Sequence, residues 1–146
     1  MENLILLKED CSSKDELITK LLERIYSTNQ TLPISLDEVS RIINLREKIG
    51  GTILPSGLSV PHARLKDFDG FVLALGTPGK VLYQEEIQIQ MMSLMITSQS
   101  GGQYYLPVLA ALTKISRHHE YFARLCGAES PAELISILRE QDAELN

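Results

Sequence analysis

The chain has 146 residues, of which 44% are hydrophobic and 23% charged, with six prolines and nine glycines. This composition is typical of one soluble domain, predicted to span residues 1–146, and it excludes a disordered or low-complexity chain. The formal net charge of −5 argues against nucleic-acid binding, because neutralising phosphates needs clustered lysine and arginine.

The N-terminal segment LILL, residues 4–7, is followed at once by Lys8, Glu9 and Asp10. It is too short for the core of a signal peptide, and no apolar run approaches the ~20 residues of a membrane span. Cys11 and Cys126 form no CxxC pair and are expected to be reduced thiols. We therefore expect a cytoplasmic protein.

Three segments begin with Ser and carry Glu three positions later, which is the capping-box pattern of a helix start: 13–16, 35–38 and 130–133. After the first, apolar residues recur at three- and four-residue spacing through residue 25, which predicts an amphipathic helix of about four turns. After the second, Val39, Ile42 and Ile43 predict a shorter helix, which Gly50 and Gly51 end.

The middle of the chain has the pattern of strands. Residues 58–61 form a short extended run that ends at Pro61, and residues 71–75 and 91–96 are almost wholly apolar. Such bounded apolar runs predict strands covered on both faces. The alternation of apolar residues changes phase near Met91, which suggests a bulge there.

Gly101 and Gly102 separate these strands from three further helices. The first carries apolar residues from 106 to 112, a break follows at 117–119, and the last begins after Ser130. Helices on both sides of a strand block predict a layered α/β domain. Neither GxGxxG nor a P-loop is present, so nucleotide binding has no support.

His62 is the residue of the chain whose side chain can take the most chemical roles. It follows Pro61, and arginines lie nearby in sequence at positions 46 and 64. A neutral imidazole can act as a base, ligand or nucleophile, but no metal-ligand spacing and no serine or cysteine nucleophile accompanies it. Two interpretations remain: a phosphoryl acceptor beside cationic guanidinium groups, or a hydrogen-bonded structural histidine at a strand end.

Residues 46–52, REKIGGT, and 57–64, GLSVPHAR, resemble the signature of one family. This is the mannitol/fructose type of IIA domain of the bacterial phosphoenolpyruvate-dependent phosphotransferase system (PTS). The family pattern is an R-E element, a G-T turn and then G-[IL]-[AS]-[IV]-P-H. The segments GFVLALGTP, MMSLMIT and SPAELISILRE extend the resemblance over essentially the whole chain. In size and layout the chain is most similar to the stand-alone nitrogen-regulatory IIA proteins.

The resemblance implies a mixed β-sheet with helices on both faces. It implies that His62 is phosphorylated and that Arg46 contacts the phosphoryl group. Arg64 and Thr52 are further candidate contacts to the phosphoryl group or a partner, with a plain surface cation as the alternative interpretation of Arg64. The donor would be an HPr-type phosphocarrier, and the recipient a regulated target protein or a transporter component. No cofactor, metal, nucleic acid or direct membrane insertion is implied.

One position departs from the family pattern. Relatives usually carry a second histidine in an H-L-x-x-L-A segment, and here that segment is YLPVLA, beginning at Tyr105. A phenol can donate a hydrogen bond to a phosphoryl oxygen but brings no positive charge near neutral pH. Tyr104 and Tyr105 could equally be packing residues at the start of a helix.

Two functions therefore stay open. One is a phosphocarrier that relays or signals a phosphoryl group, with regulation expected over dedicated sugar uptake because no second carrier domain is attached. The other is a IIA-fold module that binds its target without being phosphorylated. His118 and His119 are interpreted as solvated surface groups, because adjacent residues of a helix point apart.

Overall fold

The computed structural model describes residues 2–28, 31–50 and 52–145, with side chains for 3–28, 31–50 and 52–140. Gly51, which the sequence pattern places in the turn after the second helix, lies outside the described residues. A short 3-10 helix, Glu2–Leu4, precedes strands and helices in this order: β1 Ile5–Glu9, α1 Lys14–Ser27, α2 Leu36–Ile49, β2 Leu58–Ser59, β3 His62–Leu65, β4 Phe71–Pro78, β5 Tyr83–Gln84, β6 Ile87–Gln88, β7 Met91–Ser98, α3 Tyr105–Arg117, α4 His119–Cys126 and α5 Pro131–Leu145.

The central sheet is mixed. Its order is β1, β4, β7, and then β2 and β3, which follow one another along the far side of β7. β4 is parallel to β1 and antiparallel to β7, and β7 is parallel to β2 and β3. The remaining strands, β5 and β6, form a separate two-stranded ribbon. The register places His62, the first residue of β3, opposite Met95 of β7.

Helices cover both faces of this sheet, as the sequence predicts. Met92, Leu94 and Ile96 of β7 belong to a core shared with α1 and α2. Met91 and Met95 belong to a second core shared with α3, α4 and α5. Successive side chains of a strand point to opposite faces, so a strand buried on both sides must be apolar at nearly every position. This is why β7 shows no alternation of apolar and polar residues.

The predicted helix starts are confirmed. Ser13, Ser35 and Ser130 each accept a hydrogen bond from the backbone N–H three residues later, at 3.1, 3.2 and 3.1 Å. The prediction that the second helix is shorter is wrong, because α1 and α2 both have 14 residues. The apolar stripe of α2 fades after Ile43, yet the following residues, NLREKI, are mostly good helix formers and continue the helix, with four of the six exposed.

Two strand features differ from expectation. Residues 5–7 of the LILL segment begin the strand β1, while Leu4 ends the 3-10 helix before it. The sequence pattern did not predict this strand, because four apolar residues carry no measurable period. No bulge occurs at Met91. The phase change arises because the chain leaves the β5–β6 ribbon after Gln88 and joins the central sheet at Met91, so the two alternations belong to different strands.

The C-terminal helices follow the predicted order. Gly101 and Gly102 both have positive φ, at 93° and 62°, and the turn they form leads into α3. His118 lies at the junction of α3 and α4, and both it and His119 are exposed, as predicted. Within the described ranges, no helix is long and apolar enough to cross a membrane.

Candidate functional site

His62 lies at the edge of the central sheet, where its backbone is fixed by neighbouring segments. The carbonyl of Pro61 accepts a hydrogen bond from the N–H of Met95 at 3.1 Å. One residue earlier, the N–H of Val60 donates to the carbonyl of Thr52 at 2.8 Å. Proline at 61 also restricts the backbone just before the histidine. The backbone just before His62, the first residue of β3, is therefore held in a fixed conformation.

A tight turn before β2 aligns this segment. Gly57 has φ of +93°, and its carbonyl accepts a hydrogen bond from the N–H of Gln90 at 2.8 Å. A Cβ at position 57 would lie 2.6 Å from the carbonyl oxygen of Gln88. Only glycine fits both the left-handed conformation and this close approach. The glycine that opens the GLSVPHAR motif is therefore a structural requirement of the turn.

The imidazole of His62 is oriented by its own backbone. Nδ1 lies 3.3 Å from the carbonyl oxygen of Val60. Because a carbonyl can only accept, Nδ1 carries the proton in this hydrogen bond, and Nε2 keeps its lone pair. The geometry thus answers which nitrogen is available for chemistry, which the sequence alone left open.

The surroundings lower the pKa of His62 below its ordinary value. Burial is the largest cause, since the residue is only 5% exposed, and the hydrogen bond to Val60 opposes it. The charges of Arg46 and Arg64 lower the pKa further, while Glu47 raises it. A lowered pKa keeps the ring neutral and its Nε2 lone pair free at pH 7.

His62, Arg46 and Arg64 line one cleft, of about 350 Å³, between β3 and the end of α2. Arg46 lies in the last turn of α2, on the helix face that also carries Ile42, Leu45 and Ile49. Among the described residues, neither arginine forms an ion pair with an acidic side chain. Two uncompensated guanidinium groups beside a neutral imidazole form an environment that favours an anion.

Tyr105 lies against His62 from the opposite helical layer. Their ring centres are 5.2 Å apart with an interplanar angle of 46°, and the Arg64 guanidinium lies over the Tyr105 ring at 5.2 Å from its centre. Tyr105 is the first residue of α3 and is 6% exposed. The Gly101–Gly102 turn sets its position, with the Gly101 carbonyl held by the Thr97 hydroxyl at 2.9 Å.

Thr52 and the residue after Arg46 form a polar network behind the cleft. Glu47 accepts hydrogen bonds from the hydroxyl of Thr52 at 2.6 Å, from Nζ of Lys14 at 3.3 Å and from the amide of Gln84 at 3.4 Å. Gln84 in turn accepts from Ser59 at 3.0 Å. In this structure the Thr52 hydroxyl thus donates its hydrogen bond to the carboxylate of Glu47.

Sequence reasoning did not identify Glu47, Lys14 and Gln84 as parts of the site. The available signal was the acidic residue directly after Arg46, in the R-E element of the motif. Its partners come from α1 and from β5, which no short-range pattern connects. Only the folded chain shows that this carboxylate joins two helices to the ribbon.

The described residues contain no group of three or more His, Cys, Asp and Glu side chains that could hold a metal ion. Burial raises the pKa of Cys126 to about 12, which leaves that thiol protonated and unreactive. The side chains with a titratable or charged group that line the cleft are those of Arg46, His62 and Arg64.

A profile of the family described as "Phosphoenolpyruvate-dependent sugar phosphotransferase system, EIIA 2" matches residues 1–141. A curated relative, the PTS system 2-O-alpha-mannosyl-D-glycerate-specific EIIABC component of Escherichia coli (strain K12), is 28% identical over 137 residues, which cover 89% of this chain. The chain spans only 20% of that relative's length.

Solved structures share the fold. The nitrogen regulatory protein IIA-Ntr from Neisseria meningitidis superposes with a TM-score of 0.80 at 19% identity, covering 94% of both chains. IIA mannitol from Escherichia coli superposes with a TM-score of 0.71 at 21% identity, covering 94% of this chain and 96% of that one. The Escherichia coli IIA mannitol enzyme in complex with phosphorylated IIB mannitol gives 0.71 at 20% identity, with 95% of each chain covered.

Proposed function

The chain belongs to the EIIA 2 family of the phosphoenolpyruvate-dependent sugar phosphotransferase system, and from this membership we propose that it is a cytoplasmic phosphocarrier whose acceptor is Nε2 of His62. The observation that carries the proposal is the orientation of the imidazole. Its Nδ1–H is bound to the Val60 carbonyl, which leaves Nε2 free in a cleft shared with two guanidinium groups that have no acidic partner among the described residues.

The proposed donor is the phosphohistidine of an HPr-type carrier protein. The Nε2 lone pair of His62 attacks phosphorus, the bond from phosphorus to the donor imidazole breaks, and that imidazole leaves with its electron pair. The ring of His62 gains positive charge in this step, and the Nδ1–H bond to Val60 stabilises it. Arg46 and Arg64 stabilise the negative charge on the phosphoryl oxygens.

The rim of the cleft suits a protein donor. Ile49 and Leu45 at the end of α2 are 89% and 49% exposed, and Leu106 and Tyr104 on either side of Tyr105 are 67% and 55% exposed. Large apolar side chains this exposed are typical of sites that bind another protein. We propose that the carrier docks here and places its phosphohistidine against His62.

The protein that receives the phosphoryl group from His62, or responds to it, is proposed only as a class of partner. The related structures include a nitrogen regulatory protein and a IIA mannitol enzyme bound to its phosphorylated IIB partner. This family membership supports two outcomes: transfer of the phosphoryl group to a IIB component, or control of a target protein by the phosphorylation state of His62.

The second candidate function is a binding module that is not phosphorylated. It is favoured by Tyr105, which occupies the place where the family pattern has a histidine, and by the 5% exposure of His62. In that case the apolar rim would still bind a partner, but the cleft would carry no phosphoryl group.

One labelling experiment tests the proposal. The protein is incubated with labelled phosphoenolpyruvate, enzyme I and HPr, and acid-labile phosphate is measured in the wild type, in His62→Ala and in His118→Ala. We expect label on the wild type and on His118→Ala, since His118 is exposed and lies at the opposite end of α3 from Tyr105, and none on His62→Ala. An unlabelled wild type in a mixture that phosphorylates HPr would refute the phosphocarrier and favour the binding module.

A further inference from the structure

We infer that the ring of Tyr105 is a platform that holds the guanidinium of Arg64 beside His62, so that Arg64 supplies a fixed positive charge to the phosphorylated site. The inference rests on the proposed function, because it names the residue pair that stabilises the phosphoryl group. Arg64 would contact the phosphoryl oxygens, whereas Tyr105 would act through Arg64 as a positioning residue.

The contacts connect the three residues in one stack. The guanidinium carbon of Arg64 and the imidazole centre of His62 each lie 5.2 Å from the centre of the Tyr105 ring. They are therefore at most about 10 Å apart, within the distance at which one charge acts on another near a protein surface. Arg64 also lies beside Gly101, where Nη1 is 3.9 Å from the position a Cβ would take.

Arg64 needs such a platform because no hydrogen bond in the described part of the chain holds its guanidinium. Its side chain is exposed, and among the described residues it makes no ion pair. A long solvated side chain samples many rotamers, and attraction to an aromatic face favours the one that stacks on it. Tyr105 is well suited to this role because its ring is buried at the start of a helix and cannot follow the arginine.

The ring face, rather than the hydroxyl, carries this role. Phenylalanine at position 105 would keep the platform, whereas leucine would fill similar space without an aromatic face. This difference separates a positioning role from simple packing, because packing alone would tolerate leucine nearly as well as phenylalanine.

The first test measures the pKa of His62 in the unphosphorylated protein by NMR titration. Arg64→Gln is introduced into the wild type, into Tyr105→Phe and into Tyr105→Leu, with Lys66→Gln as the matched loss of one positive charge. Arg46 and Glu47 of α2 also act on the pKa of His62 and stay unchanged in every variant.

We expect Arg64→Gln to raise the pKa of His62 by about 0.3–0.6 unit, as for a charge about 10 Å away at an effective dielectric constant of about 40–80. The rise should be the same in the Tyr105→Phe background and less than half as large in the Tyr105→Leu background. Lys66→Gln should give no comparable rise. An equal rise in all three backgrounds would show that Tyr105 does not position Arg64 and would overturn the inference.

The second test measures phosphorylation of His62 by phosphoramidate, a small donor that needs no protein docking. Nε2 attacks phosphorus, the P–N bond of phosphoramidate breaks, and its protonated nitrogen leaves as ammonia, which takes up a proton from the solvent, while the ring of His62 keeps its Nδ1–H bond to Val60. The phosphorylated site gains two negative charges on the phosphoryl group and one positive charge on the ring, so Arg64 acts on a net change of about one negative charge. Arg64→Gln and Tyr105→Leu should therefore slow the reaction about two- to fourfold, with Tyr105→Phe slowed less than Tyr105→Leu and Arg64→Lys intermediate.

The two tests separate the possible failures. If His62 is labelled by neither phosphoramidate nor the HPr system, the proposed function fails, while the pKa comparison still decides whether Tyr105 holds Arg64. If the wild type is labelled and Arg64→Gln is labelled equally fast, the phosphocarrier stands and the role of Arg64 is refuted. Circular dichroism of each variant checks that the fold is unchanged.

Discussion

Replacing Glu47 by alanine is expected to destabilise the protein more than any other single removal of a charge from α2. The Glu47 side chain is only 4% exposed, and its ion-pair partner Lys14 is 20% exposed. Three donors end on this carboxylate: the Lys14 ammonium, the Thr52 hydroxyl and the Gln84 amide. Removing it leaves all three without their acceptor.

The magnitude follows from this burial. Breaking a fully buried ion pair from one side costs ~3–5 kcal/mol, because the remaining charge loses its compensation. Lys14 retains some contact with water, which reduces the cost, so we expect Glu47→Ala to lower the free energy of unfolding by about 2–4 kcal/mol. Glu47→Gln preserves the shape and one acceptor oxygen and should cost about half as much.

The assay is urea unfolding followed by circular dichroism, with Glu38→Ala as the matched control. Glu38 also lies on α2, but its contact with Arg41 is 4.0 Å long and both side chains are more than half exposed. Its removal should change the free energy of unfolding by less than about 1 kcal/mol.

A second readout links the network to the site. Because the charge of Glu47 raises the pKa of His62, Glu47→Gln should lower that pKa in an NMR titration. A loss of stability no larger for Glu47→Ala than for Glu38→Ala would refute the view that the network fixes the end of α2. An unchanged pKa of His62 would refute the electrostatic link.

Three further outcomes are expected. Gly57→Ala should lower the free energy of unfolding by at least about 2 kcal/mol, since it combines positive φ with a 2.6 Å contact to the Gln88 carbonyl, whereas Gly50→Ala, with open space around it, should be nearly neutral in the same urea assay. Because the pKa of His62 is lowered in the folded state, the unfolded chain takes up a proton at this residue first as the pH falls. The free energy of unfolding should therefore decrease from pH ~6.5 downward through the folded-state pKa, by at most ~1.4 kcal/mol per pH unit. The His62→Gln variant should lack this part of the decrease. If both proteins lose stability equally between pH 7.5 and 5, the pKa of His62 is not lowered. With its pKa raised to about 12, Cys126 should react with a thiol reagent at pH 8 more than about 100-fold more slowly than free cysteine, and rapid labelling of the native protein would contradict its burial.

The sequence predicted much of the layered architecture because local rules act on consecutive residues. Local patterns of a few consecutive residues predict helices and strands here. Examples are the capping serines, the apolar stripe of α1 and the continuous apolar run of β7. Where a segment is short or its partner distant, those rules fail. The strand β1 was missed because four apolar residues show no period, and the phase change at Met91 resulted from a change of sheet.

The cleft divides in the same way. The motif identified His62 and the arginines at 46 and 64, since residue type and spacing are visible in a linear sequence. The stack of Tyr105 under Arg64 joins α3 to β3, and the Glu47 network joins α1 and α2 to the ribbon. Contacts between segments tens of residues apart depend on how elements cross in space, which no local pattern records.

By itself, then, the amino-acid sequence determined whether most elements are helices or strands, their order along the chain and which side chains could take part in chemistry. Tertiary packing alone decided that Nδ1 of His62 donates to Val60, that Nε2 is left free, and that two guanidinium groups share its cleft. The physical reason is range: backbone preferences and apolar periods act over a few residues, while the proton position and charge environment of an imidazole are set by whichever atoms the fold brings within several ångströms.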